Sequence, residues 1–341
     1  MADAYKDFTI DTDVVSDRTT VSSGLFSGGA GSLTAFYTSS TQGASSASYL
    51  NVYDKAEADS TREIQFAIGY ANFGGSGSLG NTTKTNSGDR QTAANYRQFA
   101  NVLLPPGTSK FTFTNFASAS EDFYFVVMNR ARMREKMDPG NWELRIGAHA
   151  GGKIMKFIDD SGATTTPTVN QAGRVFNVVS GSIASGTADT FRTAEAGGSL
   201  GNFYPDFGII ILDASHLQVT SSVELDRQTN TFTSSSMQFF KAISTGSYFQ
   251  ARREEEVTST MYFCRANNKD FNFSNNPTFA TKSGDTEGVF TQTTFEGDPK
   301  TFITQVGLYN DNSELLAIAK LSKPVLKSFS REAVIKVKLD F

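Results

Sequence analysis

The sequence is poor in the residues that most enzymes and metal sites use. It has a single cysteine, Cys264, and two histidines, His149 and His216. One thiol cannot form a disulfide bond within the chain, and neither histidine has a second histidine or cysteine at metal-ligand spacing. We therefore expect no metal, no cofactor and no catalytic residues, and we predict that the chain is not an enzyme. Both histidines are interpreted as ordinary surface or loop residues.

An excess of one charge and long apolar runs are also lacking. The chain has 31 Lys and Arg residues against 35 Asp and Glu residues, a formal net charge of −4. Binding to nucleic acid through a basic surface is therefore not expected.

No stretch approaches the roughly 18 apolar residues of a membrane-spanning helix. The segment "MADAYKDFTIDTDVVSD" has acids where a secretory signal has basic residues. We expect the product to stay soluble in the cell that makes it, without membrane insertion.

Aromatic residues and glycine are abundant, with 29 Phe, 11 Tyr and 29 Gly among many Ser and Thr residues. This mixture suits half-buried strands and tight turns better than helices. We therefore predict a mainly β fold. It would consist of antiparallel sheets in β-sandwich-like modules, with one or two short helices and long loops rich in Gly and Ser.

Shifts in composition suggest four segments. Residues 1–48 contain a stretch rich in Gly and Ser and are predicted to form an N-terminal arm. Residues 49–149 form a β-rich domain, and residues 150–200 form a loop-rich insertion or lobe around the single strand "RVFNVV". Residues 201–341 form a C-terminal β-rich domain, which could pack with 49–149 as one unit.

Apolar spacing predicts where the helices lie. In "TAANYRQFANVLL" the apolar residues recur every three or four positions, which indicates an amphipathic helix that Pro105 and Pro106 would end. The segment "SSMQFFKAI" is a second candidate. In "RARMREKMDPGNWELRIG" we expect one charged helical turn, a chain reversal at residues 138–140, and a strand that begins at a buried Trp142.

Other segments alternate as strands do. "SKFTFTNF" alternates strictly, with Phe111, Phe113 and Phe116 on the same side. The continuous apolar run 208–212 is typical of a strand that is covered on both faces.

The C-terminal region predicts a hairpin and a final strand. Residues 302–309 and 314–321 are strand-like, and "NDNS" between them suits a turn. The final strand alternates, with Ile335, Val337, Leu339 and Phe341 on one side. Such a strand needs a covering partner, which is either the core of the chain or a neighbouring subunit.

Two glycine-rich strings match catalytic or nucleotide-binding motifs formally. "GSGSLG", residues 75–80, fits the dinucleotide fingerprint, but no helical pattern follows it. "GGSLG", residues 197–201, fits the string around a nucleophilic serine at Ser199, but no buried strand precedes it. We interpret both as loops.

Charged groups have two interpretations each. Asp11 with Asp13, Asp159 with Asp160, and the run 254–256 could bind a cation, but solvated charge is the better interpretation. A basic cluster could contact nucleic acid, although a solvated helix face or a charged contact with a protein partner fits better. Its members are Arg130, Arg132, Arg134 and Lys136.

Five blocks of the sequence resemble virion structural proteins of contractile-tailed bacteriophages, particularly large marine phages that infect cyanobacteria. The blocks are "YRQFANVLLPPG", "DFYFVVMNRARMREKMDPGNWELRI", "NFYPDFGIIILD", "STMYFCRANNKDFNFSNNPTF" and "TFITQVGLYNDNSELLAIAKLSKPVLKSFSREAVIKVKLDF".

The resemblance implies a non-enzymatic subunit of the virion, in the tail or its baseplate wedge, that assembles in the host cytoplasm. Its partners would be other virion proteins and copies of itself. The alternatives are a neck or head protein, a receptor-binding adhesin that contacts the host surface through residues 150–200, and a tail-associated hydrolase.

Overall fold

The computed structural model describes most of the chain, namely residues 5–39, 49–77, 87–114, 118–147, 154–162, 167–183, 198–215, 217, 234–281 and 288–340. The described helices are α1 (Ile10–Asp13), α2 (Ser87–Leu103), α3 (Arg130–Met133) and α4 (Ser235–Gly246). None of these helices has the length and apolar character needed to cross a membrane.

The strands in the described part of the chain are β1 (Val14–Gly24), β2 (Ser32–Leu33), β3 (Tyr49–Tyr53), β4 (Ile64–Asn72), β5 (Asp122–Met128), β6 (Lys136–Gly147), β7 (Ile154–Asp159), β8 (Thr168–Asn170), β9 (Gly173–Ser180), β10 (Gly201–Tyr204), β11 (Ile209–Asp213), β12 (Phe249–Ala266), β13 (Thr301–Tyr309), β14 (Leu315–Lys327) and β15 (Ala333–Asp340). The mainly β prediction is confirmed.

The chain divides into two compact units. We name Val21–Glu255 the main unit, and we name Met1–Thr20 together with Glu256–Phe341 the terminal unit. Each unit is described by itself below.

The main unit is built on one antiparallel sheet. Its described strands lie in the order β12, β6, β7, β9, β10, β11, β5, β4, β3, where β12 contributes its residues up to Glu255. Every neighbouring pair along this order is antiparallel, as expected. Residues 154–183 provide three strands, β7, β8 and β9, where the sequence predicted one.

Both faces of this sheet are covered, because side chains on a strand point alternately to opposite faces. On β5, the ring of Phe123 packs 4.9 Å from Tyr96 of α2, whereas the next ring, Tyr124, stacks 4.7 Å from Phe239 of α4. The neighbouring strand β11 is buried along its whole length, residues 209–213. This confirms the prediction of a strand covered on both faces.

Two of the predicted helices are confirmed, since α2 ends at Leu103, just before the prolines, and α4 covers the second candidate segment. The Ser234 hydroxyl caps α4 by accepting a hydrogen bond from the backbone N–H of Met237, 3.2 Å away. Between α2 and β5, the predicted strand at residues 109–116 is wrong for the described part, residues 109–114. Phe111 and Phe113 are nevertheless buried beside α2, so their apolar pattern reflects burial without a strand ladder.

The predicted reversal at residues 138–140 is also wrong. Strand β6 continues through it, and the pairing with β12 passes from Arg253 opposite Met137 to Ala251 opposite Trp142. Residues 138–141 therefore form a bulge, which Gly140 permits with a φ of 81°. Trp142 is fully buried, as predicted.

In the terminal unit, the predicted hairpin is confirmed. Strands β13 and β14 pair as an antiparallel two-stranded sheet, and Tyr309 lies opposite Leu315. The connection, residues 310–314, is one residue longer than expected. The Asn310 side-chain oxygen holds this connection by accepting the backbone N–H groups of Asn312 at 3.0 Å and Glu314 at 2.8 Å.

The final strand, β15, pairs with β12 between Ser259 and Ala266. Its side chains alternate as predicted, with Val337 buried, Ile335 and Leu339 half-buried, and both lysines exposed. Phe341 lies outside the described residues. The covering partner of this strand is thus the chain itself.

Candidate functional site

Exposed apolar side chains are concentrated on the terminal unit. Among the described residues, 14 of the 21 large apolar side chains that are exposed belong to this smaller unit. By contrast, the clusters of buried apolar residues in the described part of the chain all lie in the main unit. A unit with little core of its own and many exposed apolar groups has the character of a binding surface.

The hairpin carries the densest group of these side chains. We name β13, residues 310–314 and β14 together the β-ribbon. On one face, Tyr309, Leu315 and Ile318 are 44%, 47% and 53% exposed. Tyr309 and Leu315 lie over Gly307, whose missing side chain leaves room for them. The opposite face, with Leu308 buried and Val306 half-buried, is the more covered one.

The edges of the β-ribbon are unpaired within the described part of the chain, because β13 and β14 pair only with each other. Such edges can accept a strand from another chain. The ladder between the two strands is itself interrupted, since the pairing passes from Ile303 opposite Val325 to Gln305 opposite Lys320. Pro324 lies in the resulting bulge, where its lack of an N–H removes no ladder bond.

A buried lysine holds the base of the β-ribbon. The ammonium group of Lys327 donates to the carbonyl oxygen of Asn268 at 2.8 Å, the side-chain oxygen of Asn272 at 3.0 Å and the carbonyl oxygen of Ser328 at 3.0 Å. Burial lowers the pKa of the Lys327 amine below its ordinary value. Lys327 has a structural role here, because all three donors of its ammonium group have acceptors.

The residues considered for catalysis do not form a site in the described part of the chain. Ser199 is fully buried, and its hydroxyl donates to the carbonyl oxygen of Gly201 at 2.5 Å. Cys264 is half-buried, and burial raises the pKa of its thiol. His149 and His216 lie outside the described residues, as do the last three residues of "GSGSLG". In the part of that string that is described, Gly77 packs against the ring of Tyr70.

The acidic pairs have partners within the fold. The interpretation of Asp159 and Asp160 as solvated charge is wrong, because both are buried. Asp159 accepts backbone N–H groups from Gly140 at 2.8 Å and Ser161 at 2.9 Å. The same interpretation is wrong for Asp13, which is buried and pairs with Arg265 at 2.7 Å, whereas Asp11 is exposed. The described residues contain no group of three or more His, Cys, Asp or Glu side chains that could hold a metal ion.

The run 254–256 and three of the four members of the basic cluster are ion-paired, whereas Arg130 donates to the backbone carbonyl of Asp206. Lys136 contacts Glu254 at 3.3 Å, and Arg134 contacts Glu255 at 3.0 Å. Arg132 contacts Glu63, and its side chain is only 21% exposed. The solvated-face interpretation therefore fails for Arg132 and Lys136. Arg62 and Arg253 lie beside Arg132 and Arg134 in one cavity. This grouping was not predicted, because the positions are far apart along the chain.

Comparisons with models of protein families, with curated proteins and with solved structures each found no match.

Proposed function

We propose that this chain is a non-enzymatic structural subunit of a bacteriophage virion, in the tail or its baseplate. It joins other virion proteins and copies of itself through the terminal unit. The observation that carries the assembly role is the concentration of exposed apolar side chains on that unit. The proposal of a bacteriophage virion as the particle rests on the resemblance of the five sequence blocks to phage structural proteins.

The β-ribbon is the part of the terminal unit best suited to this role. An edge strand of a neighbouring subunit can pair with β13 or β14, and other parts of that subunit can then pack on the exposed face. Burying apolar surface contributes about 25 cal/mol per Å². The exposed Tyr309 adds a ring of the kind that is enriched at the centres of interfaces.

Mass spectrometry of purified particles tests the location. The chain is expected as a stoichiometric component that remains through repeated gradient purification. Its absence from the particle, while it accumulates in infected cells, would refute the proposal.

Charge substitutions test the surface. In the double variant Leu316→Lys with Ile318→Lys, two exposed apolar side chains of the β-ribbon become cations. We expect this variant to fold but to be lost from particles. The matched control is Val169→Lys, which changes a side chain of the main unit that is 71% exposed and should be incorporated normally. Normal incorporation of the β-ribbon variant would exclude this surface.

A further inference from the structure

The main unit contains a cavity of about 580 Å³ whose walls are rich in arginine. We name it the arginine cavity. Four guanidinium groups line it, from Arg62 before β4, Arg132 and Arg134 around α3, and Arg253 on β12. The remaining lining residues are Tyr53, Glu63, Ile64, Asn129 and Ala131. Three distant chain segments thus bring positive charge to one place, and clustered charge of one sign attracts groups of the opposite sign.

The carboxylates at the cavity compensate only part of this charge. Glu63 pairs with Arg132 and also accepts the Ser27 hydroxyl at 2.8 Å. Glu255 pairs with Arg134 at 3.0 Å and with Arg253 at 2.8 Å. These two carboxylates pair with three of the four guanidinium groups, and Arg62 makes no ion pair in the described part of the chain.

Arg62 is the group whose bonding is incomplete. Its guanidinium lies over the ring of Tyr53, 4.6 Å from the ring centre. This packing orients the planar group and leaves its edges for hydrogen bonds. The Nη1 atom of Arg62 is buried and has no acceptor among the described residues. A buried donor without an acceptor is destabilising, so an oxygen from a ligand would remove this cost.

Arg134 is held in an unusual backbone conformation at the same cavity. Its φ of 61° and ψ of −94° lie outside the regions that side-chain-bearing residues normally occupy. Glycine would adopt this conformation more easily, yet the chain places an arginine there. Strain of this kind persists where the surrounding structure enforces it, and it is common at ligand-binding positions.

We propose that the arginine cavity binds the carboxylates of an acidic peptide segment from another protein chain. A carboxylate of such a segment would pair with Arg62, whose guanidinium fork matches it with two parallel hydrogen bonds, and a neighbouring carboxylate could share the remaining arginines. Nucleic acid fits less well, since the overall charge of −4 would repel a long polyanion beyond the cavity. This proposal goes beyond the assembly role, and it stands independently of the β-ribbon.

Calorimetric titration of the full chain tests it, with acetyl-tetraglutamate-amide as the probe and acetyl-tetraglutamine-amide as the uncharged control. We expect binding of the acidic peptide only, weakened by salt. Arg62→Gln removes the incompletely bonded guanidinium and is expected to weaken binding about tenfold, the effect of one charge-assisted hydrogen-bond pair. Arg62→Lys keeps the charge but not the fork, so it should restore binding only in part.

Arg97→Gln is the matched control, because it removes an exposed arginine of α2 that does not line the cavity. It should bind the peptide as the unchanged chain does. Circular dichroism confirms folding of each variant. Equal binding of tetraglutamine, equal loss in the Arg97→Gln control, or tighter binding of a single-stranded oligonucleotide than of tetraglutamate would each overturn the proposal.

The acidic segment could belong to a different protein or to a second copy of this chain. Sedimentation of the unchanged chain and of Arg62→Gln separates the two sources. If the unchanged chain self-associates and Arg62→Gln does not, the acidic segment belongs to a second copy of this chain. Peptide binding that depends on Arg62 while the chain remains monomeric assigns it to a different protein.

Discussion

The rings of Phe66 on β4 and Phe249 on β12 lie 5.2 Å apart, edge to face, although β6, β7, β9, β10, β11 and β5 separate these strands in the sheet. Helix α4 packs against β3 and β4 and also against β6, near the other end of the order. The sheet of the main unit therefore curves until its two ends meet around one core. Both rings are fully buried, and they join the two ends.

Truncating either ring should destabilise the main unit strongly. We expect Phe66→Ala and Phe249→Ala each to lower the free energy of unfolding by about 3–5 kcal/mol, because each leaves a cavity in the core. The double variant should lose less than the sum, by about 0.5–1.5 kcal/mol, since the rings contact each other. Urea unfolding followed by fluorescence checks this, because the only tryptophan, Trp142, is buried in this unit.

The control for these variants is Phe207→Ala, which removes a ring of the main unit that is 41% exposed. Its effect should stay near 0.5 kcal/mol, as for most surface substitutions. Strictly additive losses for Phe66 and Phe249 would show that the two ends of the sheet do not support each other.

Asp159 gives the stability of the main unit a pH dependence of defined sign. Its carboxyl is fully buried, and burial raises its pKa above the ordinary value of 3.8, against the hydrogen bonds that it accepts. The folded state therefore holds the proton more tightly than the unfolded state. The stability contributed by this group is present below pH 3.8 and is lost as the pH rises through the raised pKa.

The measurement compares the unchanged chain with Asp159→Asn across this pH range. The free energy of unfolding of the unchanged chain, relative to the variant, should fall from about pH 4 upward and become constant above the raised pKa. A relative stability that rises with pH would mean that hydrogen bonds to the ionised carboxylate outweigh its desolvation.

Lys327 should matter more for the β-ribbon than its exposed neighbour Lys323. Lys327→Met removes the ammonium group and leaves three oxygens without their donor, two of them buried, on Asn272 and Ser328, and one part-buried, on Asn268. We expect a loss of about 2–3 kcal/mol in local stability. Hydrogen exchange of the amides in β14 measures this loss, and Lys323→Met, at an exposed position, should leave it unchanged. Equal exchange in both variants would assign Lys327 no structural role.

Local patterns predicted the elements whose folding depends on neighbouring residues. The helix before Pro105, the hairpin around Asn310 and the fully buried run 209–213 each carry their signal within a few residues. The same patterns misled where burial arises from distant contacts. Phe111 alternates with Phe113 as in a strand, yet its ring is buried against Tyr96 of the helix α2 and Phe123 of β5. Its backbone N–H donates to the hydroxyl of Tyr96 at 3.2 Å, and not to a neighbouring strand.

The two proposed binding surfaces were predictable to different degrees. The apolar hairpin could be recognised, because alternation within one hairpin sets both its pairing and its faces. The arginine cavity could not, because Arg62 meets Arg132 and Arg253 only through the order and curvature of the sheet. The bulge at residues 138–141 was hidden for the same reason, since it exists only relative to the paired strand β12.

Arg134 permits a test of whether strain accompanies the arginine cavity. At an ordinary position, glycine is less stable than alanine by about 0.5–1 kcal/mol, because glycine loses more backbone freedom on folding. At a φ of 61° and ψ of −94°, alanine keeps the steric clash and glycine does not. We therefore expect the usual order to reverse, with Arg134→Gly more stable than Arg134→Ala by about 1 kcal/mol.

Both substitutions remove the same guanidinium and the same ion pair with Glu255, so their difference isolates the backbone. The matched control position is Arg132, which lies in the helical turn α3 next to Arg134. There, Arg132→Gly should be less stable than Arg132→Ala. Urea unfolding followed by Trp142 fluorescence measures all four variants. If the glycine variant is less stable than the alanine variant at both positions, the backbone at Arg134 is unstrained. The arginine cavity would then form without backbone strain at this residue.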